Sequence, residues 1–281
     1  MTLSGKAKIA GVMGWPISHS RSPLLHGYWL KEYEIDGAYL PLPVAPQNIE
    51  AALRALPKLG IAGTNLTVPY KEAALTICDR VDEAARRIGA VNTVVVENDG
   101  TLSGSNTDAF GFLENLKSES CWKPKDGSAV ILGAGGAARA VVAALIDDGV
   151  QDIQIVNRTI ERAENIANEF ANGCTAVKWD QVDDVLKDAA LLVNTTTLGM
   201  AGQPDLEITL KALPTWATVN DIVYVPLRTT LLRNAAKRGN PTVDGLGMLL
   251  HQARPGFSAW FGKQPQVTTG LRDFILANLK T

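Results

Sequence analysis

The sequence predicts an α/β protein of two domains, and three observations support this fold class. Apolar runs typical of strands alternate with segments of helical periodicity along almost the whole chain, as they do where helices cover parallel sheets. A glycine-rich strand-to-helix turn opens at Gly133, far from the amino terminus, so the preceding residues must form a domain of their own. The polar segment 119–127, which contains a proline and a glycine, is the expected joint.

Short runs of aliphatic and β-branched residues predict the strands, and apolar residues recurring every three or four positions predict the helices. Pro23 and Pro69 mark two of the helix starts, and we expect the helices after residue 245 to return to the first domain. The strands are 8–13, 38–42, 63–67, 93–97, 128–132, 153–156, 191–194 and 218–221. The helices are 23–34, 49–56, 69–77, 82–88, 108–118, 137–147, 160–170, 230–238, 247–254 and 271–279.

Composition narrows the class of partner. The chain has 281 residues, 46% of them apolar, which is enough for two sizeable cores. A net charge of −2 without a long basic run argues against nucleic acid or a membrane surface and favours small molecules. Cys78, Cys121 and Cys174 lie far apart without metal-ligand spacing, so we expect reduced thiols and no metal site. We expect a cytoplasmic protein because no apolar run near the start resembles a signal peptide.

The glycine-rich turn carries the strongest chemical signal. Gly133 and Gly135 match the first two positions of the G-x-G-x-x-G/A pattern, in which the backbone turns tightly and then approaches a pyrophosphate, and Ala138 matches the third. The N–H groups at the start of the following helix suit that anion. The expected pyrophosphate-binding residues are Gly133, Ala134, Gly135, Gly136 and Ala137.

The next strand ends in Asn157, Arg158 and Thr159 rather than in the acidic residue that usually binds the ribose of NAD. Arg158 is a planar, permanently charged donor suited to a 2′-phosphate, and Arg162 follows one helical turn later. We therefore expect NADP rather than NAD. The alternative is a tight turn followed by a solvated arginine, but strand, glycine turn, helix, second strand and basic end occur here in the order of a dinucleotide site.

Three loops of the first domain carry polar side chains at the ends of strands, where open α/β sheets bind ligands. In the first loop, Ser20 and Ser22 stand before Pro23 at a helix start, an arrangement suited to a substrate carboxylate. Spacing alone supports Ser22 as a simple N-cap at least as well.

The second and third loops carry an amine and a carboxylate. Lys71 is expected in the first turn of the helix opened by Pro69, where the helix dipole disfavours the charged amine and suits it to acid/base chemistry. The alternative is a solvated lysine. Asp108 either caps the following helix or, as a carboxylate expected on a strand end adjacent to that of Lys71, forms a proton-relay pair with this amine.

Motifs in these loops stand in a recognisable order along nearly the whole chain. They are Gly14–Pro23, Asn65–Lys71, Gly89–Thr93, Gly104–Asp108, the turn at Gly133, Asn157–Thr159, Asn194–Thr196 with Leu198–Met200, and Asp244–Leu249 with Gln252 and Ala253. In this order they resemble the shikimate dehydrogenase family. One departure is Trp15, which stands where the family frequently has asparagine.

The resemblance implies a reversible, NADP-dependent reduction of 3-dehydroshikimate to shikimate in chorismate and aromatic amino-acid biosynthesis. It implies a substrate domain in 1–118, completed by 246–281, and a Rossmann-like NADP-binding domain in 119–245. It makes Lys71 and Asp108 the acid/base pair. The remaining implied contacts are Ser20, Ser22 and Tyr224 at the substrate carboxylate, Thr67, Asn92 and Gln252 at the ring hydroxyls, and Ile222, Tyr224 and Gly245 at the nicotinamide.

Two other functions stay open at this point. One is a quinate/shikimate dehydrogenase of broader specificity, although the members that use NAD tend to carry an acidic residue near the position of Arg158. The other is a non-catalytic ligand sensor of the same fold, which the presence of both Lys71 and Asp108 disfavours. The sequence also leaves open which of the two residues carries the proton, since a close lysine and carboxylate titrate together. Monomer and homodimer are both allowed.

Overall fold

A computed structural model of the protein describes residues 3–171 and 173–279. Its chain forms two compact units: the first comprises the residues up to Thr107 and those from Gln252 onward, and the second comprises Asp108–His251. The strands are β1 Lys8–Gly14, β2 Gly37–Pro43, β3 Ile61–Leu66, β4 Arg80–Val81, β5 Thr93–Val96, β6 Leu102–Ser105, β7 Ser128–Leu132, β8 Ile153–Asn157, β9 Cys174–Lys178, β10 Ala189–Asn194, β11 Thr218–Asp221 and β12 Thr242–Val243.

The helices alternate with these strands, as predicted for an α/β protein. They are α1 Ser22–Glu32, α2 Ile49–Ala55, α3 Ala74–Ile77, α4 Glu83–Ile88, α5 Asp108–Glu119, α6 Gly136–Asp147, α7 Ile160–Phe170, α8 Val182–Val185, α9 Thr230–Arg238, α10 Leu246–Phe261 and α11 Thr269–Leu279. The chain passes from the first unit to the second where α5 begins, and returns within α10. The functional domain limits after residues 118 and 245 stay a prediction.

The sheet of the first unit has the order β2-β1-β3-β5-β6-β4 and is mixed rather than parallel throughout. Strand β5 runs antiparallel to both β3 and β6. The cause is the short hairpin between β5 and β6, in which Gly100 adopts a φ of 82° and its N–H donates to the carbonyl of Glu97. The start of β5 therefore lies at the same edge of the sheet as the ends of β3 and β6.

Two apolar groups hold the first unit together. Leu53, Leu56 and Leu66 belong to a core that α2, α3 and α4 form with the sheet. A second group is aromatic, and in it the buried His26 stacks on Tyr39 with 3.9 Å between ring centroids. Burial lowers the pKa of His26 to about 3, so the ring is neutral at physiological pH. Trp29, Phe257 and Trp260 surround this pair.

The sheet of the second unit is parallel throughout, in the order β12-β11-β10-β7-β8-β9. Counted from β7 as the first strand, the order is 3-2-1-4-5-6, which defines a Rossmann fold and confirms the predicted fold class. Both faces of β7 and β10 are buried because α5, α6 and α7 pack on one side and α8 and α9 on the other. The topological switch point, at which such folds bind nucleotides, lies between β7 and β10.

The predicted helix 69–77 is wrong in its first half, because residues 69–73 form turns and α3 begins only at Ala74. The carbonyl of Lys71 accepts a hydrogen bond from the N–H of Val91, and the N–H of Leu75 donates to Glu72 instead. The unpredicted strands β4, β6, β9 and β12 have two to five residues, too few for a clear periodicity. The unpredicted helix α8 is equally short.

The predicted helix 247–254 is too short, because α10 continues to Phe261 through Pro255. A proline removes one backbone hydrogen bond inside a helix, which is why the sequence suggested an end there. The buried side chains of Phe257 and Trp260 compensate for that loss by packing in the aromatic group. Among the described residues, no helix has the length and apolarity needed to cross a bilayer.

Candidate functional site

The glycine-rich turn follows β7 at the switch point, and its first glycine is required by packing. Gly133 has a φ of 106°, and a Cβ on it would lie 2.9 Å from the hydroxyl oxygen of Thr195 and 2.9 Å from the methyl group of Thr196. Its N–H donates to the carbonyl of Val156 at 2.8 Å. Only glycine fits where the loop after β7 passes the loop after β10.

Gly135 and Gly136 are not required by packing, and instead leave open space at the start of α6. Among the described residues, no atom beyond the neighbouring backbone lies within 4 Å of a Cβ placed on either glycine, and both residues are exposed. Gly135 is the N-cap of α6, and no side chain caps that helix. The start of α6 thus combines space with N–H groups, which is the arrangement that accepts a pyrophosphate. The fully buried Ala138 packs in the core one turn later, as predicted, while Ala134 and Ala137 are half-buried beside the turn.

A basic edge lies at the carboxyl ends of β8, which neighbours β7, and of β9, which neighbours β8. Asn157 ends β8, and its side-chain amide donates to the carbonyl of Thr159 at 2.7 Å, which closes the turn before α7. Arg158 and Arg162 are exposed on either side of the helix start. Lys178 ends β9 as the register partner of Asn157 and is also exposed. The edge therefore carries three cations, suited to a phosphate.

Ile222 and Gly245 lie against each other in the second unit. A Cβ on Gly245 would overlap the backbone carbonyl of Ile222, so glycine is required for this approach. Tyr224 is half-buried in the loop that follows β11, and Val225–Pro226 in the same loop is a cis peptide. The structure thus brings together two of the three residues, Ile222 and Gly245, that the resemblance implies at the nicotinamide.

Asn92 is the centre of a polar cluster in the first unit. Its side-chain oxygen accepts hydrogen bonds from the N–H of Thr107 at 3.0 Å, the hydroxyl of Thr93 at 2.9 Å and the hydroxyl of Thr107 at 3.2 Å. Its side-chain nitrogen donates to Gln252 at 3.3 Å. Two predicted site residues that stand 160 positions apart in the chain therefore meet.

A second chain of hydrogen bonds leads from this cluster to the first loop. The amide of Asn65 donates to the carbonyl of Asn92 at 3.1 Å and to the hydroxyl of Thr93 at 3.0 Å. Its oxygen accepts from the hydroxyl of Tyr39 at 2.6 Å. Tyr39 is fully buried, which raises its pKa well above 10.0, and a hydrogen bond with Ser22 opposes that rise. Ser22 is thereby linked to Asn92.

The loop after β1 that carries Ser20 and Ser22, which we call the serine loop, differs from the expectation where α1 begins. Arg21, not Ser22, is the N-cap of α1, and the side chain of Arg21 makes no capping hydrogen bond, so the simple capping role of Ser22 is wrong. The N–H of Ser22 contacts the hydroxyl of Ser20 at 3.4 Å. Thr67 follows β3, and its N–H donates to the carbonyl of Met13 at 3.0 Å, which places the loops after β1 and β3 side by side.

Lys71 and Asp108 belong to different compact units. Lys71 lies in the turn before α3, so its predicted place in the first turn of a helix is wrong. Its carbonyl accepts from Val91 at 2.8 Å, directly before Asn92. Asp108 is the first residue of α5 and follows Thr107 directly. The expectation that the pair follows adjacent strands is also wrong, because β5 lies between β3 and β6.

Comparison with known proteins identifies the family. A family model described as the shikimate dehydrogenase substrate binding domain matches residues 12–94, and one described as shikimate / quinate 5-dehydrogenase matches residues 116–200. A protein of Paramagnetospirillum magneticum named shikimate dehydrogenase (NADP(+)) is 60% identical over 98% of this chain and 100% of its own length. The chain belongs to the shikimate dehydrogenase family. The resemblance stated from the motifs is confirmed.

Solved structures of the shikimate dehydrogenase family have the same fold. The shikimate 5-dehydrogenase of Thermus thermophilus, crystallised with NADP(H) and shikimate, has a TM-score of 0.86 at 37% identity, covering 96% of this chain and 99% of its own. A quinate dehydrogenase of Corynebacterium glutamicum, crystallised with NAD, reaches 0.90 at 32% identity with the same coverage. The overall fold of this chain is similar to both structures, so the fold does not distinguish shikimate from quinate or NADP from NAD. Individual residues must make that distinction.

Some residues at these family-type sites were not assigned from the sequence. Asn65 lies within one of the family motifs and carried a signal of its own, as an amide side chain in a predicted strand. Tyr39 carried none, because a tyrosine is common in any half-buried strand. Lys178 was missed because β9 was missed. The family departure Trp15 has an exposed side chain and lies in the serine loop, where it adds an apolar surface.

Proposed function

We propose that the chain is an NADP-dependent shikimate dehydrogenase, which converts 3-dehydroshikimate, NADPH and a proton to shikimate and NADP⁺, reversibly, in the pathway to chorismate. The cluster of Asn92, Thr107 and Gln252 carries the proposal. A substrate ring with several hydroxyl groups needs both donors and acceptors, and side-chain amides supply both. Family membership and the relative named as NADP-dependent support the same function.

The cofactor supplies the hydride when bound, and this chain's residues bind and orient it. The N–H groups around Gly135 and Gly136 hold the pyrophosphate, with Gly133, Ala134 and Ala137 shaping the turn. Arg158 holds the 2′-phosphate with help from Arg162, while Asn157 and Thr159 fix the turn that presents it. Ile222 and Gly245 border the nicotinamide. The absence of an acidic residue at the end of β8 supports NADP rather than NAD.

Lys71 and Asp108 manage the proton. Hydride addition to the ketone carbon creates an alkoxide, and the pair supplies the proton that neutralises it. The backbone supports this role from two sides, since Lys71 is bonded to Val91 beside Asn92, and Asp108 is one residue, about 3.8 Å between Cα atoms, from Thr107. Which of the two carries the proton is left to experiment.

The remaining polar side chains orient the substrate. Ser20, Ser22 and Tyr224 bind its carboxylate, and Thr67, Asn92 and Gln252 bind its ring hydroxyls. The hydrogen-bonded path from Ser22 through Tyr39 and Asn65 supports this division, because it ties the carboxylate end to the hydroxyl end. A rigid path of this kind keeps the two ends at a constant separation.

A second candidate function is oxidation of quinate as well as shikimate, and the structural likeness to a quinate dehydrogenase favours keeping it. A sensor of the same fold is disfavoured by the presence of both Lys71 and Asp108. A cytoplasmic location, monomer or homodimer, and the lack of nucleic-acid or membrane partners stay predictions. The three free cysteines agree with a reducing compartment.

The test is the initial rate of shikimate oxidation by the purified protein with NADP⁺ or NAD⁺, with quinate assayed in parallel. We expect turnover of shikimate with a strong preference for NADP⁺. A preference for NAD⁺ would keep the reaction and contradict the role of Arg158. Equal turnover of quinate would establish the broader specificity. Binding of shikimate without turnover of either substrate would indicate a sensor.

A further inference from the structure

Asp221 is a completely buried carboxylate at the end of β11 that the proposed chemistry does not use. It has three hydrogen-bonded partners, and all of them are neutral donors. The amide of Asn194 at 2.9 Å and the N–H of Val223 at 3.1 Å donate to one oxygen, and the hydroxyl of Thr229 at 2.6 Å donates to the other.

These partners come from the end of one strand and from the two ends of one loop. Asn194 ends β10, Val223 stands at the start of the loop after β11, and Thr229 is the N-cap of α9 at the end of that loop. The loop 222–229, which we call the nicotinamide loop, is therefore tied at both ends to a single carboxylate. Asn194 also accepts from the N–H and the hydroxyl of Thr196, which orders the loop after β10.

The first residue of the nicotinamide loop is also held from the opposite direction. Gly245 approaches the carbonyl of Ile222 so closely that no side chain fits between them. The N–H of Ile222 donates to the carbonyl of Asn194 at 3.1 Å. Ile222 thus has little freedom, and its position depends on where Asp221 and Gly245 hold the backbone.

Charge explains why an aspartate stands here. Burial raises the pKa of Asp221 to about 6 although all three hydrogen bonds lower it, so the carboxylate is ionised at neutral pH. A buried ion without a cationic partner is unfavourable for stability. An asparagine has one accepting oxygen, so its NH₂ group would face either the N–H donors or the Thr229 hydroxyl, which would then have to accept instead of donate. Only the carboxylate accepts from both ends of the loop and from Asn194.

We propose that Asp221 is a positioning residue that fixes the nicotinamide loop, and with it Ile222 and Tyr224, against the nicotinamide end of the dinucleotide. It does so without touching the cofactor. This inference rests on the proposed function, because the loop has a task only if a dinucleotide binds. Its signature is selectivity: the nicotinamide end of the ligand depends on Asp221, and the adenosine end does not.

The experiment compares two ligands by titration calorimetry: NADP⁺, and adenosine 2′,5′-bisphosphate, which lacks the pyrophosphate-linked nicotinamide half. For Asp221→Asn we expect the Kd of NADP⁺ to rise about tenfold, as for loss of a buried hydrogen bond to a charged group, and the Kd of the bisphosphate to stay within about twofold. Equal weakening of both ligands, or of neither, would overturn the proposal.

A matched control is Asn240→Ala. Asn240 is buried, and its amide donates to the carbonyls of Pro214 and Ala217, before the other end of β11. Its loss lowers stability without reaching the nicotinamide loop, so we expect wild-type Kd values for both ligands. Selective loss of NADP⁺ binding in this variant would mean that any weakening of the unit mimics the effect, and the proposal would fall.

If Asp221→Asn does not fold, Thr229 provides the same test. Thr229→Ser keeps the hydroxyl that donates to Asp221, whereas Thr229→Val removes it. We expect the serine variant to bind NADP⁺ like the wild type and the valine variant to lose affinity selectively. Equal behaviour of the two would overturn the proposal. A wild-type protein that binds the bisphosphate but not NADP⁺, or binds neither, would refute the proposed function itself and this inference with it.

Discussion

The expected pyrophosphate site of the second unit is formed mainly by backbone N–H groups and by glycines whose lack of a side chain leaves space. At Gly135 and Gly136 the relevant property is the space where a Cβ would be. The expected substrate site of the first unit depends instead on side chains, since the amide of Asn65 donates to the backbone carbonyl of Asn92 and the amide of Asn92 donates to Gln252. A site made of backbone is encoded by a short local pattern, whereas a site made of side chains requires distant segments to pack correctly.

Replacing Lys71 tests the chemistry of the first unit and should have the largest effect. For Lys71→Ala we expect kcat to fall about 10²- to 10⁴-fold, the usual contribution of a proton-transfer group, with a much smaller change in the KM of shikimate. Steady-state kinetics at several pH values measures both. Lys58→Ala, at an exposed lysine of the same unit, serves as the control and should be unchanged. An unaltered kcat for Lys71→Ala would remove the residue from catalysis.

Replacing Asp221 tests whether the stability of the second unit depends on a buried side chain as well as on the backbone. Since burial raises its pKa to about 6, the folded protein holds this proton more tightly than the unfolded chain does. The free energy of unfolding of the wild type should therefore fall, relative to that of Asp221→Asn, as the pH rises from about 4 to about 6. A shift of about two pKa units corresponds to about 3 kcal/mol.

Urea unfolding of both proteins at pH 4 and pH 7 measures this difference. Asp183→Asn, at an exposed carboxylate on α8, is the control, and its difference from the wild type should change little over the same range. A stability difference for Asp221→Asn that is the same at both pH values would contradict the raised pKa.

The glycine-rich turn separates a glycine needed for folding from one needed for binding. Gly133→Ala should lower the free energy of unfolding by about 2 kcal/mol, because the new Cβ meets Thr195 and Thr196 at a positive φ. Gly135→Ala should leave the unfolding free energy nearly unchanged and weaken NADP⁺ binding. Urea unfolding and calorimetry distinguish the two. If both variants lost stability equally, Gly135, like Gly133, would be required for folding rather than for cofactor binding.

Replacing Arg158 tests which residue of the second unit sets the preference for NADP⁺ over NAD⁺. For Arg158→Ala we expect the Kd of NADP⁺ to rise about tenfold, the effect of losing a charge-assisted hydrogen bond, while the weaker binding of NAD⁺ stays the same. Calorimetry with both nucleotides measures the change, and Lys237→Ala on α9 is the control at an exposed cation. An equal rise for both nucleotides would place Arg158 away from the 2′-phosphate.

Lys178 should show the smallest effect. Its side chain is exposed, and exposed charges contribute weakly, so we expect Lys178→Ala to raise the Kd of NADP⁺ about threefold at low salt and less at high salt. Titrations at two ionic strengths measure this dependence. If Lys178→Ala had the wild-type Kd at low salt, the Lys178 ammonium would lie too far from the 2′-phosphate to contribute, although Lys178 pairs with Asn157 in the sheet.

Sequence reasoning identified the Rossmann unit well for a physical reason. Its strands β7 and β10 are buried on both faces, so their residues form continuous apolar runs that are readable locally. The glycine spacing and Arg158 stand within about 25 positions of one another. The first unit was harder because β4 and β6 are short and β5 reverses direction through a hairpin, which no periodicity reports.

The errors at Lys71 and Ser22 have a common cause. A proline near a polar residue indicates that a helix begins, but not at which residue. Lys71 lies outside α3 because Val91, 20 positions later, bonds to its carbonyl. Ser22 lies inside α1, which begins without a side-chain cap. A tertiary contact decided where Lys71 lies, and a shift of the helix start decided where Ser22 lies. Helix boundaries are the part of the structure that a sequence pattern predicts least well.

The sequence by itself determined the fold class, the dinucleotide turn, the expected cofactor and the family, because each depends on residue types at short spacing. Tertiary structure alone decided that Asn92 meets Gln252, that Tyr39 and Asn65 connect Ser22 to this cluster, and that Asp221 ties both ends of a loop. Hydrogen bonds between side chains depend on atomic positions to within about 0.5 Å. Packing sets those positions, and a one-dimensional pattern does not contain them.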